Sequence, residues 1–128
     1  MSSMNWTLLI NQNYTYEQTP WFDIEEQVKQ IIFGEGIIEI NPEFFSQYSN
    51  VEFYQVDPNN PSYWSDSYGV LFSKDRSILH QAPIKLAGEY VIPDGVLKIE
   101  GGSFLDCNLL TSIEMPDSVT ELGDWAFA

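Results

Sequence analysis

The chain has 128 residues, 44% hydrophobic and 15% aromatic, enough apolar side chain for a packed core and too much for a disordered acidic tail. Nineteen Asp and Glu stand against five Lys and Arg, a net charge of −14, which is the wrong sign for direct binding to a nucleic-acid backbone. No apolar run approaches the roughly 20 residues of a membrane span, and the single cysteine, Cys107, excludes an internal disulfide framework.

Met1 to Trp6 carry neither the basic start nor the apolar stretch of a signal peptide, so either the protein is cytoplasmic or a signal lies outside this sequence. Asn5-Trp6-Thr7 and Asn13-Tyr14-Thr15 match the N-glycosylation pattern, which is short and common by chance. Ile31-x-Phe33 alternates as a strand does, with every second side chain turned inward. Gly36 then fits a turn that needs a positive φ. Asn41-Pro42-Glu43 reads as a helix cap followed by proline at the first helical position, which predicts a short helix over Phe44 to Tyr48. Tyr54-x-Val56 alternates again. Pro58 to Tyr68 reads as a loop rich in Tyr, Trp, Ser and Asn. Val70-Leu71-Phe72 and Ile78-Leu79-His80 flank a polar turn at 73–77, the signature of an inserted β-hairpin. Tyr90-x-Ile92 and Ile113-x-Met115 close the series, each followed by a turn, at Pro93-Asp94-Gly95 and Pro116-Asp117-Ser118.

These pieces recur at a fixed offset of 23 residues. Tyr90 maps to Ile113, Pro93-Asp94 to Pro116-Asp117, Val96 to Val119 and Phe104 to Phe127. Near the start, Leu8 and Ile10 map to Ile31 and Phe33, and these to Tyr54 and Val56. A second offset of 59 aligns Ile40 with Ile99 and Phe45 with Phe104. It equals one repeat plus a 36-residue unit carrying the insertion. A period of 23 lies in the range of leucine-rich repeats, whose units bury their apolar face only by stacking. The expected fold is an α+β solenoid of short β-rich coils with brief helical turns, Phe45, Phe104 and Phe127 pointing into the core. We divide it as one domain over 1–128: a lead-in strand region at 1–20, a first repeat region at 21–55, the variant unit at 56–89 and two further repeats at 90–128. The last unit stops after Phe127 without a polar cap. That predicts truncation of a longer array, with self-association through the uncapped edge as the alternative.

The run Ile92-Pro93-Asp94-Gly95-Val96, then Ile99, Phe104, Cys107 and Leu110, resembles the BspA-type leucine-rich repeat of bacterial surface proteins. Met115 to Phe127 looks like the next copy, and Val56 to Pro93 like a variant unit of the same family. The resemblance covers residues 21–128 and implies a secreted or cell-surface protein that binds host proteins or other surface ligands. Glu100-Gly101-Gly102 departs from the family's usual Gly-Asp-x, and Tyr48 stands where Cys107 stands.

Nothing in the pattern points to catalysis. His80 is the only histidine and has no Cys or paired carboxylate near it in sequence, so no metal site and no Ser-His-Asp arrangement is expected. Cys107 occupies a repeat core position, where a free thiol behaves as a small hydrophobe. Asp57-Pro58-Asn59-Asn60 lacks the glycine and the closing Glu of an EF-hand loop. Gly34-Glu35-Gly36 has no phosphate-binding lysine behind it. No cofactor is expected. The contact residues we expect are Trp64, Asp66, Tyr68, Tyr63 and Asn59, because rigid aromatics among small polar groups suit a binding loop. Tyr63 also fits a covering role over the core. The leading reading is a non-catalytic protein-interaction module. The alternatives are an acidic inhibitor or nucleic-acid mimic that blocks a basic protein, and carbohydrate binding by exposed aromatics.

Overall fold

The computed structural model describes residues 6–10, 28–41, 43–46 and 48–127. The rest of the lead-in region, with Pro20-Trp21 and the cap proline Pro42, lies outside the described residues. The elements are β1 (Trp6–Ile10), β2 (Val28–Phe33), α1 (Glu43–Ser46), β3 (Phe53–Val56), β4 (Tyr63–Ser65), β5 (Leu71–Ser73), β6 (Ile78–Gln81), β7 (Gly88–Val91), β8 (Lys98–Ile99), β9 (Leu110–Glu114) and β10 (Glu121–Leu122). They wind into a β-solenoid of about four turns.

The 23-residue offset is the ladder register itself. Leu8 pairs with Ile31 and Ile10 with Phe33 between β1 and β2. Ile31 pairs with Tyr54 and Phe33 with Val56 between β2 and β3. Tyr90 pairs with Ile113 between β7 and β9, and Ile99 with Leu122 between β8 and β10. All these pairs are parallel, so each coil lies one strand spacing from the next and stacks like on like. Ile31, Phe33, Tyr54, Val56 and Tyr90 are buried, as the alternation requires. Ser118, which replaces Gly95 in the repeat, keeps contact with it through its hydroxyl, accepting from the Gly95 amide at 3.1 Å and donating to Val96 O at 2.8 Å.

The expected α+β character is corrected. Among the described residues the one helix is the four-residue turn α1. The corner at 101–107 is built of four-residue turns: Ser103 N–H donates to Glu100 O, Leu105 to Gly102 O and Cys107 to Phe104 O. Gly102 and Asp106 adopt φ of 72° and 59°, left-handed values that interrupt a right-handed helix. The phenylalanines also part company: Phe104 is buried, Phe45 is half-buried, and Phe127 is exposed although it stacks on Phe104 at 5.1 Å.

The insertion contains the expected hairpin, β5 antiparallel to β6. It also contains a third strand, because β4 pairs antiparallel with β5 inside what the sequence presents as loop. Asp75 shapes the hairpin turn. Its Oδ1 accepts from the Ser77 amide at 3.0 Å and from the Ser77 and Ser73 hydroxyls at 2.7 Å each. Those bonds, the Ser77 amide first, hold its carboxyl down to about 2.

Two apolar clusters form the core, and the insertion divides them. Tyr63 and Leu71 point into the first, with Ile31, Phe33, Phe44 and Tyr54. Trp64, Val70 and Phe72 point into the second, with Leu79, Tyr90, Ile92 and Phe104. Adjacent residues on a strand face opposite sides, so β5 is a shared wall with Val70, Leu71 and Phe72 all fully buried.

Candidate interaction surface

The parallel strands on one side form two sheets, β1-β2-β3 and β7-β9, with no ladder between β3 and β7. The segment Asp66–Val70 bridges that gap. On one side, Tyr54 N–H donates to Gly69 O at 3.0 Å. On the other, the Tyr90 hydroxyl donates to Asp66 Oδ2 at 2.5 Å. Asp66 Oδ1 accepts the Tyr68 and Val70 amides at 2.9 and 3.0 Å, so the carboxylate ties its own loop and the next coil together. Gly69 is required here. Its φ is 83°, and a Cβ would sit 2.6 Å from the Phe53 ring.

This packing leaves Tyr68 56% exposed, with its ring edge-on to Tyr90 at 5.5 Å. Burial and the Asp66 carboxylate push the Tyr90 phenol far above its ordinary range. Outward-facing residues lie on the strands to either side: Leu9, Gln55, Glu89, Val91 and Glu114 are exposed. Gln30 Nε2 donates to Gln55 Oε1 at 3.1 Å across neighbouring coils.

The other sequence-derived contact residues stand elsewhere. Tyr63 is buried on β4, where its hydroxyl accepts the Ile40 amide at 2.9 Å. Trp64 is half-buried, 5.3 Å from Phe72 and with the Arg76 guanidinium 4.1 Å from its ring centre. Asn59 is exposed in the preceding turn, its amide on Asp57 Oδ1. The structure therefore joins Asp66 and Tyr68 in one arrangement and gives Tyr63 and Trp64 packing partners of their own.

Residues 86–128 match the family described as BspA type leucine rich repeat region (6 copies). This segment carries BspA-type leucine-rich repeats. Similar solved structures include a leucine-rich repeat protein from Eubacterium ventriosum, at 32% identity and TM-score 0.72, the match covering 78% of this chain and 27% of that one. The pneumococcal vaccine antigen PcpA is similar at 23% identity and TM-score 0.75, over 80% of this chain and 25% of that one. A leucine rich cell surface protein from Faecalibacterium prausnitzii is similar at 25% identity and TM-score 0.62, over 79% and 30%. The chain thus spans between a quarter and a third of these relatives' length. No curated protein matches.

Two features of this repeat chain escape sequence reasoning. Asn60 is fully buried, and its amide is spent on backbone. Nδ2 donates to Gly34 O and Ile37 O at 2.8 and 2.9 Å, while Oδ1 accepts the Ser62 and Tyr63 amides at 2.8 Å each. The second is His80, which gains a carboxylate partner through the fold: Nδ1 lies 3.3 Å from Glu100 Oε1. The Tyr63 ring lies 5.3 Å from the imidazole between centroids, and burial raises the phenol's pKa, which is the opposite of an activated nucleophile. Burial, then Asp106, pushes the Cys107 thiol up to about 11. Among the described residues no group of three or more His, Cys, Asp or Glu is placed to hold a metal ion, and no helix is long and apolar enough to cross a membrane.

Proposed function

We propose that the chain is a protein-binding repeat module, working at a cell surface or outside the cell, and that its partner docks on the outward face of the parallel strands around Tyr68. The observation that carries this is the placement of Tyr68: an exposed aromatic on a segment held through Gly69 O on one side and Asp66 on the other. A rigid aromatic contributes contact area at small entropic cost, which is the economy of binding loops. The surface setting follows the relatives, one a cell surface protein and one a vaccine antigen by description. Asn59 and Trp64, nearer the hairpin, are secondary contacts in this reading.

The experiment is capture of surface or host proteins by the immobilised chain, compared with Tyr68→Ala and with Val91→Asp on the same face. Both substitutions should reduce capture at least tenfold while leaving the melting temperature within a few degrees. Undiminished capture by both would remove this face from the account.

A further inference from the structure

A cleft between two corners of the solenoid carries a second inference. The corner that follows β8 runs from Ile99 to Ser112, thirteen residues (112 − 99). At the 59-residue offset, Ile40 to Phe53 is also thirteen (53 − 40). The corner between them is shorter. Leu79 pairs with Ile99 and Glu89 with Ser112, so the chain covers the same arc from Leu79 to Glu89 in ten residues (89 − 79). Three fewer residues remove about 10 Å of extended path. The short corner holds its course through Ala82 N–H to Ser103 O at 2.9 Å on one side and Lys85 N–H to Val51 O at 3.1 Å on the other. It is recessed between two full-size corners.

The recess is a cleft of two joined compartments that share Phe45, Gln81 and Gly101. The larger, about 350 Å³, has Phe45 and Tyr48 on one wall, Leu105 on the other and Ile84 on its floor. The smaller, about 240 Å³, is lined by Glu39, Tyr63, His80 and Glu100. Glu39 and Glu100 both line this compartment, where Glu100 Oε1 lies 3.3 Å from His80 Nδ1. Lys98 Nζ offsets part of the charge, 3.7 Å from Glu100 Oε2, while Asp106 adds an acid to the larger compartment.

We propose that this cleft receives an arginine side chain and its apolar neighbour from a basic segment of a protein partner. The guanidinium enters the compartment of Glu39 and Glu100, and the apolar residue lies against Phe45, Ile84 and Leu105. The chain's net charge of −14 draws such a segment in, and the two carboxylates match the fork of guanidinium donors. This rests on reading the repeats as a protein-binding module, but the cleft lies on different residues from the Tyr68 face and is tested without it.

The test is a titration of the full, isotopically labelled chain with acetyl-Leu-Arg-Leu-amide, followed by amide chemical shifts. Acetyl-Leu-citrulline-Leu-amide, which keeps the shape and loses the charge, is the control. The arginine peptide should give saturable shifts concentrated at Gln81, Glu100, Gly101 and Gly102, with the citrulline peptide at least tenfold weaker. Glu39→Gln and Glu100→Gln should each weaken the arginine peptide at least threefold, and Glu114→Gln on β9 should leave it unchanged. Ile84→Trp, which fills the floor, should abolish the shifts; the two Gln variants decide the matter if that protein fails to fold. Equal binding of the citrulline peptide overturns the proposal. So do shifts that scatter over the acidic surface without saturating, or binding indifferent to both Gln variants. Loss of partner capture by Tyr68→Ala would leave this titration unaffected, so the two readings fail separately.

Discussion

The Tyr90 hydroxyl and the Asp66 carboxylate are joined by a 2.5 Å hydrogen bond that crosses from one solenoid coil to the inserted unit. It is charge-assisted, and such bonds contribute about 1.5–3 kcal/mol. Tyr90→Phe keeps the ring in the core and removes this bond, so chemical denaturation should show a loss of that size. Asp66→Ala should cost more, because the Tyr68 and Val70 amides lose their acceptor as well. Faster hydrogen exchange at those two amides would accompany it. Equal stability of Tyr90→Phe and wild type would mean the bond makes no net contribution to folding.

Asn60 is a second tie between coils. Asn60→Leu removes two donors and two acceptor contacts and leaves Gly34 O, Ile37 O and two amides without it in a buried site. The expected loss is about 2–4 kcal/mol, measured as a lower denaturant midpoint. A shift under about 0.5 kcal/mol, the usual size for a surface change, would show that these groups find other partners.

His80 gives stability a pH dependence. Burial is the largest influence and lowers its pKa below the ordinary 6.5; Glu100 pulls upward and Lys98 downward. The folded chain therefore binds fewer protons than the unfolded chain between the two values. The contribution is full above the ordinary value and is lost as pH falls through it toward the folded value. The stability of wild type relative to His80→Gln should fall as pH falls from about 7.5 to about 5.5. Parallel curves for the two proteins would contradict the assignment.

Trp125 sits at a position made for glycine. It lies 23 residues after Gly102, and its φ of 62° repeats the 72° of that glycine, yet it is 74% exposed and buries little in return. A bulky residue in the left-handed region costs on the order of 1 kcal/mol. Trp125→Gly should raise stability by up to about that amount, read as a higher melting temperature. A destabilised variant would show that the indole makes a contact worth more than the strain.

Much of the fold is legible because stacking in a solenoid repeats side chains at the ladder register. Ile31 with Tyr54, and Tyr90 with Ile113, are visible as an offset before they are visible as neighbours. The hairpin is legible from its alternation and polar turn. Three things are not. Tyr63–Ser65 pairs as a strand because the partner strand β5 offers an edge, although its composition is that of a loop. The expected helices shrink to turns because positive φ at Gly102 and Asp106 breaks the corner at 101–107. The approach of His80 to Glu100 follows a local register of 20 residues, seen where Ile78 pairs with Lys98, and a search at 23 misses it. Within the contact loop the sequence supplies the residue types. It does not show that Asp66 spends its carboxylate on Tyr90 and two amides while Tyr68 stays exposed.

Val70, Leu71 and Phe72 alternate between two cores, and that limits how the molecule can be taken apart. A repeat array is ordinarily divisible between units, since each coil meets only its neighbours. Here a boundary drawn on either side of β5 strips one cluster of its wall and leaves the other with an unburied face. The insertion therefore works as a keystone: the regular coils before and after it are related by sequence, but neither set makes a self-sufficient piece without those three residues.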